Sequence, residues 1–127
     1  MRFAVLQEYL NIQIELRRLV NDEVYELHAR VCKSLSSPVR LRILDLLRDG
    51  ERTEKDMLPL TGVSQPNLSL HLKYLRENGV LERRQKGTLV YYRVAHPEIF
   101  EAIDIFRRIL AKKLAKEQRL ARRVVRW

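Results

Sequence analysis

Residues 64–79 read S-Q-P-N-L-S-L-H-L-K-Y-L-R-E-N-G, and their pattern predicts a helix with marked ends. Ser64 can cap the N-terminus, and Pro66 is tolerated in the first turn because its missing N–H would have no partner inside the helix. Asn78-Gly79 is a stop, with Gly79 free to take the left-handed backbone common at helix ends. Leu68, Leu72 and Leu75 recur at i, i+4 and i+7 and form one apolar stripe. The other side carries Gln65, Asn67, Leu70 and Lys73. A helix that anchors through leucines and offers amides and a lysine outward suits the major groove of DNA. An ordinary amphipathic helix with a polar outer face would also read this way, so the flanking sequence has to decide.

Upstream, Thr53-Glu54-Lys55-Asp56 opens a short helix in capping-box style, with Asp in place of the usual Glu or Gln. Met57, Leu58 and Leu60 give it an apolar side, and Thr61-Gly62 makes a turn. Pro59 is out of place, since it removes a backbone donor and should distort or shorten the helix. A short helix, a glycine turn and the helix over 64–78 form a helix-turn-helix, whose second helix enters the major groove.

Downstream the period changes to that of strands. Val80–Gln85 and Leu89–Val94 are β-prone, with Lys86-Gly87 as the turn between them. This hairpin over 80–94 carries Arg83, Arg84 and Lys86 near its tip and Arg93 on the return strand. A cationic hairpin beside a helix-turn-helix is a wing, although cations at a hairpin end also serve as plain edge protection.

Farther out, Ser37 and Pro38 start a helix with Leu41, Leu44 and Leu47 inward, ended by Asp49-Gly50. Before it, Val5, Tyr9, Ile12, Leu16 and Leu19 step by 4, 3, 4, 3, the seam of a helix that packs along another helix. A second stripe, Val20, Val24, Leu27, Val31 and Leu35, is offset from the first, which predicts a cap or bend near Asn21-Asp22. So much apolar surface needs a cover, from a second subunit or from the chain itself. After His96-Pro97, Ile99, Ile103, Phe106, Leu110 and Leu114 stripe a last helix, thinning to Leu120, Val124 and Trp127. The expected fold class is mainly α with a small antiparallel β-hairpin. The expected layout is N-terminal helices over 1–35, a winged helix-turn-helix core over 36–95, and a C-terminal helix with a basic tail over 96–127.

At 127 residues the chain is one domain's length. No apolar run suggests a membrane span, and the N-terminus lacks the apolar core and cleavage site of a signal peptide. Cys32 is the only cysteine, which excludes an intrachain disulfide framework and fits a reducing compartment. A cytoplasmic protein without membrane association is the expectation. The net charge of +9 is uneven: residues 107–127 hold nine Lys/Arg and one acid, whereas residues 1–106 hold 16 basic and 15 acidic residues. A balanced body with a basic tail is compatible with nucleic-acid binding. The tail, Lys112 to Arg126, either extends a helix with a solvated cationic face or reaches additional phosphates. No metal-binding Cys/His cluster, phosphate-cradling glycine loop or nucleophile motif occurs, and the three histidines stand apart at 28, 71 and 96. Neither catalysis nor a cofactor is expected.

Three segments resemble the ArsR/SmtB family of winged-helix transcriptional repressors: K-S-L-S-S-P-V-R-L-R-I-L-D-L-L, T-G-V-S-Q-P-N-L-S-L-H-L-K-Y-L-R-E-N-G-V-L and R-R-Q-K-G-T-L-V-Y-Y-R-V, within about residues 24–112. The resemblance implies a homodimer built on the N- and C-terminal helices, with Val5, Tyr9, Ile12, Leu16, Leu19, Ile99, Ile103, Phe106 and Leu110 in the interface. It implies binding to a near-palindromic operator in double-stranded DNA and repression by occluding the promoter. By position, Gln65, Asn67 and Leu70 would face base edges, where an Asn or Gln can pair bidentately with adenine. Ser64, Ser69 and Lys73 would touch phosphates, and Arg83, Arg84 and Lys86 would hold the flanking backbone or enter the minor groove. His71 matches a position that points inward.

The chain also departs from the family's sensors. T-E-K-D-M-L-P-L lacks their cysteine pair, the last helix lacks paired histidines, and a thiol switch needs a second cysteine. Metal sensing and disulfide sensing are therefore not expected, and no effector is named by the sequence. His28 and Cys32, at i and i+4, leave two readings. An imidazolium could activate the thiol for redox or metal sensing, or Cys32 could simply fill the core, as its family position usually does. The rival readings of the whole chain are a MarR-like regulator with a small-molecule or redox signal and a winged-helix protein-interaction module.

Overall fold

The computed structural model describes residues 2–125 apart from the Leu19 side chain, so Trp127 and Leu19's place in the stripe lie outside the described residues. The elements run α1 (Arg2–Ser34), α2 (Pro38–Leu46), β1 (Arg52–Thr53), α3 (Glu54–Thr61), α4 (Gln65–Glu77), β2 (Leu81–Lys86), β3 (Leu89–Val94) and α5 (Glu98–Val125). The chain is mainly helical, with one antiparallel sheet in the order β1-β3-β2. It is a winged helix-turn-helix with long helices at both ends.

Short polar side chains set the helix starts. Ser37 Oγ accepts from the Arg40 N–H at 3.4 Å, Thr53 Oγ1 from the Asp56 N–H at 3.1 Å, and Ser64 Oγ from the Asn67 N–H at 3.4 Å. Each such cap is worth about 1 kcal/mol. The end of α4 is a Schellman motif. The Val80 N–H donates to the Leu75 carbonyl at 2.9 Å and the Gly79 N–H to that of Arg76 at 3.0 Å, with Gly79 at φ 73°. Gly62, at φ 72°, makes the turn that swings α4 across α3.

The leucine stripe of α4 is the centre of the core. Leu68, Leu72 and Leu75 are fully buried, together with Ile43 and Leu44 of α2 and Met57 of α3. Val80, in the turn before β2, and Leu81 and Tyr92 of the sheet close the core on one side, and Ile103 closes it from α5. Helix α4 is thus held by its apolar face, leaving its other side exposed.

Several expectations change. No bend occurs at Asn21-Asp22: α1 is one helix of 33 residues, about 50 Å long. Both residues are exposed, and without a glycine or proline nothing interrupts the backbone ladder there. Its stripe is not covered by the chain itself, since Val5, Tyr9, Ile12 and Leu16 are all exposed. Ile103, expected to face a second subunit, is only 6% exposed and belongs to the chain's own core. The hairpin loop is Gly87-Thr88 rather than Lys86-Gly87, because Lys86 still pairs with Leu89; Gly87 at φ 62° takes the first loop position. A third strand, β1, joins the hairpin through Arg52↔Tyr92 and Thr53↔Tyr91. Pro59 lies inside α3 without breaking it, and the helix ends two residues later.

Candidate nucleic-acid interface

With the leucines of α4 turned inward, Gln65, Asn67, Leu70 and Lys73 are exposed together on its outer side, Leu70 at 64%. Ser64 sits at the start of this face as the cap, its oxygen already accepting the Asn67 N–H. Ser69 is different: it is half-buried and donates its hydroxyl to Glu54 on α3. Gln65 leans the same way, its Nε2 lying 3.2 Å from Ser69 Oγ and 3.4 Å from Glu54 Oε1. Asn67 has no side-chain partner among the described residues. Lys73 is 3.9 Å from Glu77 one turn on, an exposed pair that a phosphate can displace at little cost.

On the wing, Arg83, Arg84 and Lys86 all lie on β2 and are exposed. Arg84 is engaged within the chain, paired with Glu51 and placed 5.5 Å from the centre of the Tyr91 ring across the strand pair. Arg93 is held by Glu82 at 2.7 Å. Among the described residues, Arg83 and Lys86 carry no ion pair, so they are the wing cations with charge to offer a phosphate. By sequence the three wing cations look alike; the fold separates them.

Two connections join this surface to the long helices. Arg40, to which the sequence pattern gives no role, donates to the Ser34 carbonyl at 2.5 Å and the Lys33 carbonyl at 3.1 Å, at the end of α1. The same guanidinium lies 3.4 Å from His71 Nδ1 and 4.5 Å from the centre of the Tyr74 ring, both on α4. His71 is half-buried, and burial, followed by the Arg40 charge, pushes its pKa below the usual 6.5. The second connection links α2 to α5. Arg48 forms a bidentate pair with Asp104 at 2.7 and 3.1 Å and also reaches Asp45 at 3.0 Å, which Arg107 holds at 2.5 Å. Burial raises the Asp45 pKa, but hydrogen bonds from Arg107 and Arg48 outweigh it and leave the group below the ordinary carboxylate range. The Asp104 carboxyl is lowered first by its hydrogen bonds from Arg48.

Cys32 is exposed rather than packed in the core. It lines an apolar groove of about 370 Å³ with Leu35 and Leu41 on one side and Ile103, Phe106 and Leu110 on the other. His28 is exposed one turn earlier on α1. Among the described residues, no three His, Cys, Asp or Glu side chains gather where they could hold a metal ion, and no helix is long and apolar enough to cross a membrane. Phe106 and Leu110 are exposed on α5, whereas Ile99 is half-buried against the core. The tail cations from Lys112 to Arg123 are exposed on α5.

A helix-turn-helix with an adjoining wing defines the class as a winged-helix transcriptional regulator, and the comparisons with known proteins agree. The sequence profile of bacterial regulatory proteins of the arsR family matches residues 37–83. The chain is 35% identical over 96 residues to the HTH-type transcriptional regulator Rv0081 of Mycobacterium tuberculosis, covering 75% of this chain and 84% of that one. The crystal structure of Rv0081 superposes with a TM-score of 0.68 at 36% identity, covering 74% of this chain and 95% of that chain. A solution structure of a homodimeric winged helix-turn-helix DNA-binding domain from Mycobacterium bovis also superposes with a TM-score of 0.68 at 32% identity, covering 75% and 88% of the two chains. The transcriptional repressor SdpR of Bacillus subtilis is 39% identical over 62 residues, 49% of this chain and 69% of SdpR. The chain belongs to the ArsR family of transcriptional regulators.

Proposed function

We propose that two copies of this chain pair through the exposed apolar faces of α1 and α5 and hold a near-palindromic operator in double-stranded DNA, repressing transcription by occluding the promoter. The observation that carries this reading is the placement of exposed Gln65, Asn67 and Leu70 on α4, beside a wing whose Arg83 and Lys86 have no ion pair among the described residues. The α4 residues meet base edges. Ser64, Lys73 and the wing, with Arg84 as its braced member, meet the phosphate backbone. Ser69 acts from behind the surface, as a brace on Gln65. The interface between copies draws on Val5, Tyr9, Ile12 and Leu16 of α1 and on Phe106 and Leu110 of α5, with half-buried Ile99 at its edge; Ile103 serves the core instead. The protein works by binding rather than by catalysis, in the cytoplasm where its DNA lies.

The test is selection of bound fragments from a genomic DNA pool by the full chain, followed by footprinting and sedimentation of the complex. The expected result is two half-sites one duplex turn apart, roughly 34–36 Å, or a multiple of it, with two chains per site. A monomer in solution that protects a single undivided site would overturn the dimer, and the absence of any selected sequence would overturn operator binding.

A further inference from the structure

The pairing of two copies uses the apolar side of α5 and leaves its basic side unassigned. Between residues 112 and 125 the helix carries six Lys/Arg and one acid, Glu117. Four of those cations, Lys112, Lys116, Arg119 and Arg123, recur at i, i+4, i+7 and i+11 and share one arc of about 60°. All four are exposed. Among the described residues none of them has an ion pair, and Arg119 donates only to the Ala115 carbonyl of its own helix, at 3.4 Å.

Solvation alone does not call for such a row. Helix α1 is longer and equally exposed, yet it carries five Lys/Arg against five Asp/Glu. On α5, Lys112 and Lys116, and again Arg119 and Arg123, are like charges one turn apart, which repel and work against the helix. Cations favour a helix C-terminus only within its last turn. That accounts for Arg122 and Arg123 and not for Lys112, Lys116 or Arg119. An uncompensated cationic row along one helix face is the electrostatic footprint of a polyanion partner.

We propose that this row is a second DNA-contacting surface, which holds the phosphates of duplex DNA without reading bases. It spans about 17 Å of helix, a length over which one strand presents roughly five phosphates. An anionic bilayer fits less well. Phe106, Leu110, Leu114 and Val124, which stripe the exposed apolar side of α5, lie about 140° round the helix from the row. A helix lying on a membrane buries its apolar side, and the row would then point away from the headgroups. Pairing of two copies through that same side leaves the row outward on both. The proposal goes beyond the reading of α4 and the wing and does not depend on it.

The experiment measures the salt dependence of binding to a long duplex of unrelated sequence. It compares wild type with Lys112→Gln/Lys116→Gln/Arg119→Gln/Arg123→Gln and with a control of equal net charge, Arg2→Gln/Arg17→Gln/Arg18→Gln/Arg30→Gln on α1. Glutamine keeps helix propensity, and thermal unfolding and sedimentation check fold and assembly. Should the fourfold row variant be unstable, Lys116→Gln/Arg119→Gln gives the same readout at half the size. We expect the slope of log Kobs against log salt to be shallower in the row variant by about 1.8–3.6, at about 0.9 for each phosphate released. The control should stay within about 1 of wild type. Equal slopes in wild type and the row variant overturn the proposal. So does an equal loss in the control, which would assign the effect to net charge. Binding to vesicles of phosphatidylserine and phosphatidylcholine that the row variant loses, with its DNA slope unchanged, assigns the row to a membrane and overturns the proposal too. A row-dependent slope in a protein that selects no operator upholds this surface and removes the operator reading.

Discussion

Gln65 and Asn67 are both amide side chains near the start of one helix, yet the fold leaves them different capacities. Asn67 has no side-chain partner among the described residues and can pair bidentately with adenine, whereas Gln65 is drawn toward Glu54 and Ser69. We expect Gln65→Ala/Asn67→Ala to lose roughly tenfold or more in operator preference, at about 1–3 kcal/mol for a good bidentate contact. Non-specific affinity should hardly change, as competition binding against unrelated DNA would show; full operator preference in the double mutant would contradict the assignment. Asn67 and Gln65 were legible as outward-facing residues because their spacing against Leu68, Leu72 and Leu75 keeps them off the core face. The Glu54 link was not legible. It joins residues 11 and 15 positions apart across a turn, and in sequence Glu54 reads only as an acid favourable to a helix N-terminus. Arg40 escaped for the same reason, since its contacts to α1 and α4 exist only once three helices meet.

At the scale of elements, the caps and stops were the most readable features, because each joins one side chain to one or two backbone groups close by in the chain. Gly79 shows the strength of that local requirement. At φ 73° it completes the Schellman motif with nothing near its missing side chain, so Gly79→Ala should cost about 1–2 kcal/mol through backbone strain alone. A chemical-denaturation midpoint equal to wild type would show that the turn relaxes. Strand β1 was hidden because two residues carry no period, and its existence depends on the Tyr91 and Tyr92 backbone coming alongside. The α2–α5 ion pairs make a prediction with a defined pH direction. Asp45 and Asp104 both have carboxyls lowered from the ordinary 3.8 by arginines. Their contribution to stability is therefore complete above pH 3.8 and is lost as pH falls through the lower folded values. Arg48→Ala should lower stability near neutrality only slightly, given how open these pairs are to solvent. It should also flatten the acid limb of the stability–pH curve below about pH 4. An unchanged acid limb in thermal melts would remove the network from the account. His71 works in the opposite range. Its folded pKa is lowered, so the unfolded chain binds a proton first, and stability falls as pH drops below about 6.5.

The whole molecule is a small body with two long helices whose apolar faces it cannot cover. On α1 the residues from Val5 to Leu16 and on α5 Phe106, at 71% exposure, with Leu110 stand open in the single chain. Their stripes were visible in the sequence; which side of each belonged to the chain's own core was not, because a stripe has the same period whichever partner it meets. Ile103 marks that boundary. Substituting Tyr9→Glu/Phe106→Glu should leave the winged-helix core folded, shift the sedimentation profile to the monomer and weaken operator binding, since each half-site would then be held separately. A dimer that survives both charges would move the interface elsewhere. The central claim, that α4 and the wing form one DNA-binding surface, is tested most directly by the salt dependence of operator affinity in wild type and in Arg83→Ala/Lys86→Ala. We predict that log Kobs falls linearly with log salt. The slope should be shallower in the variant by about 0.9 for every phosphate that the missing cations no longer neutralise. An affinity that does not respond to salt, or a slope identical in the two proteins, would contradict it.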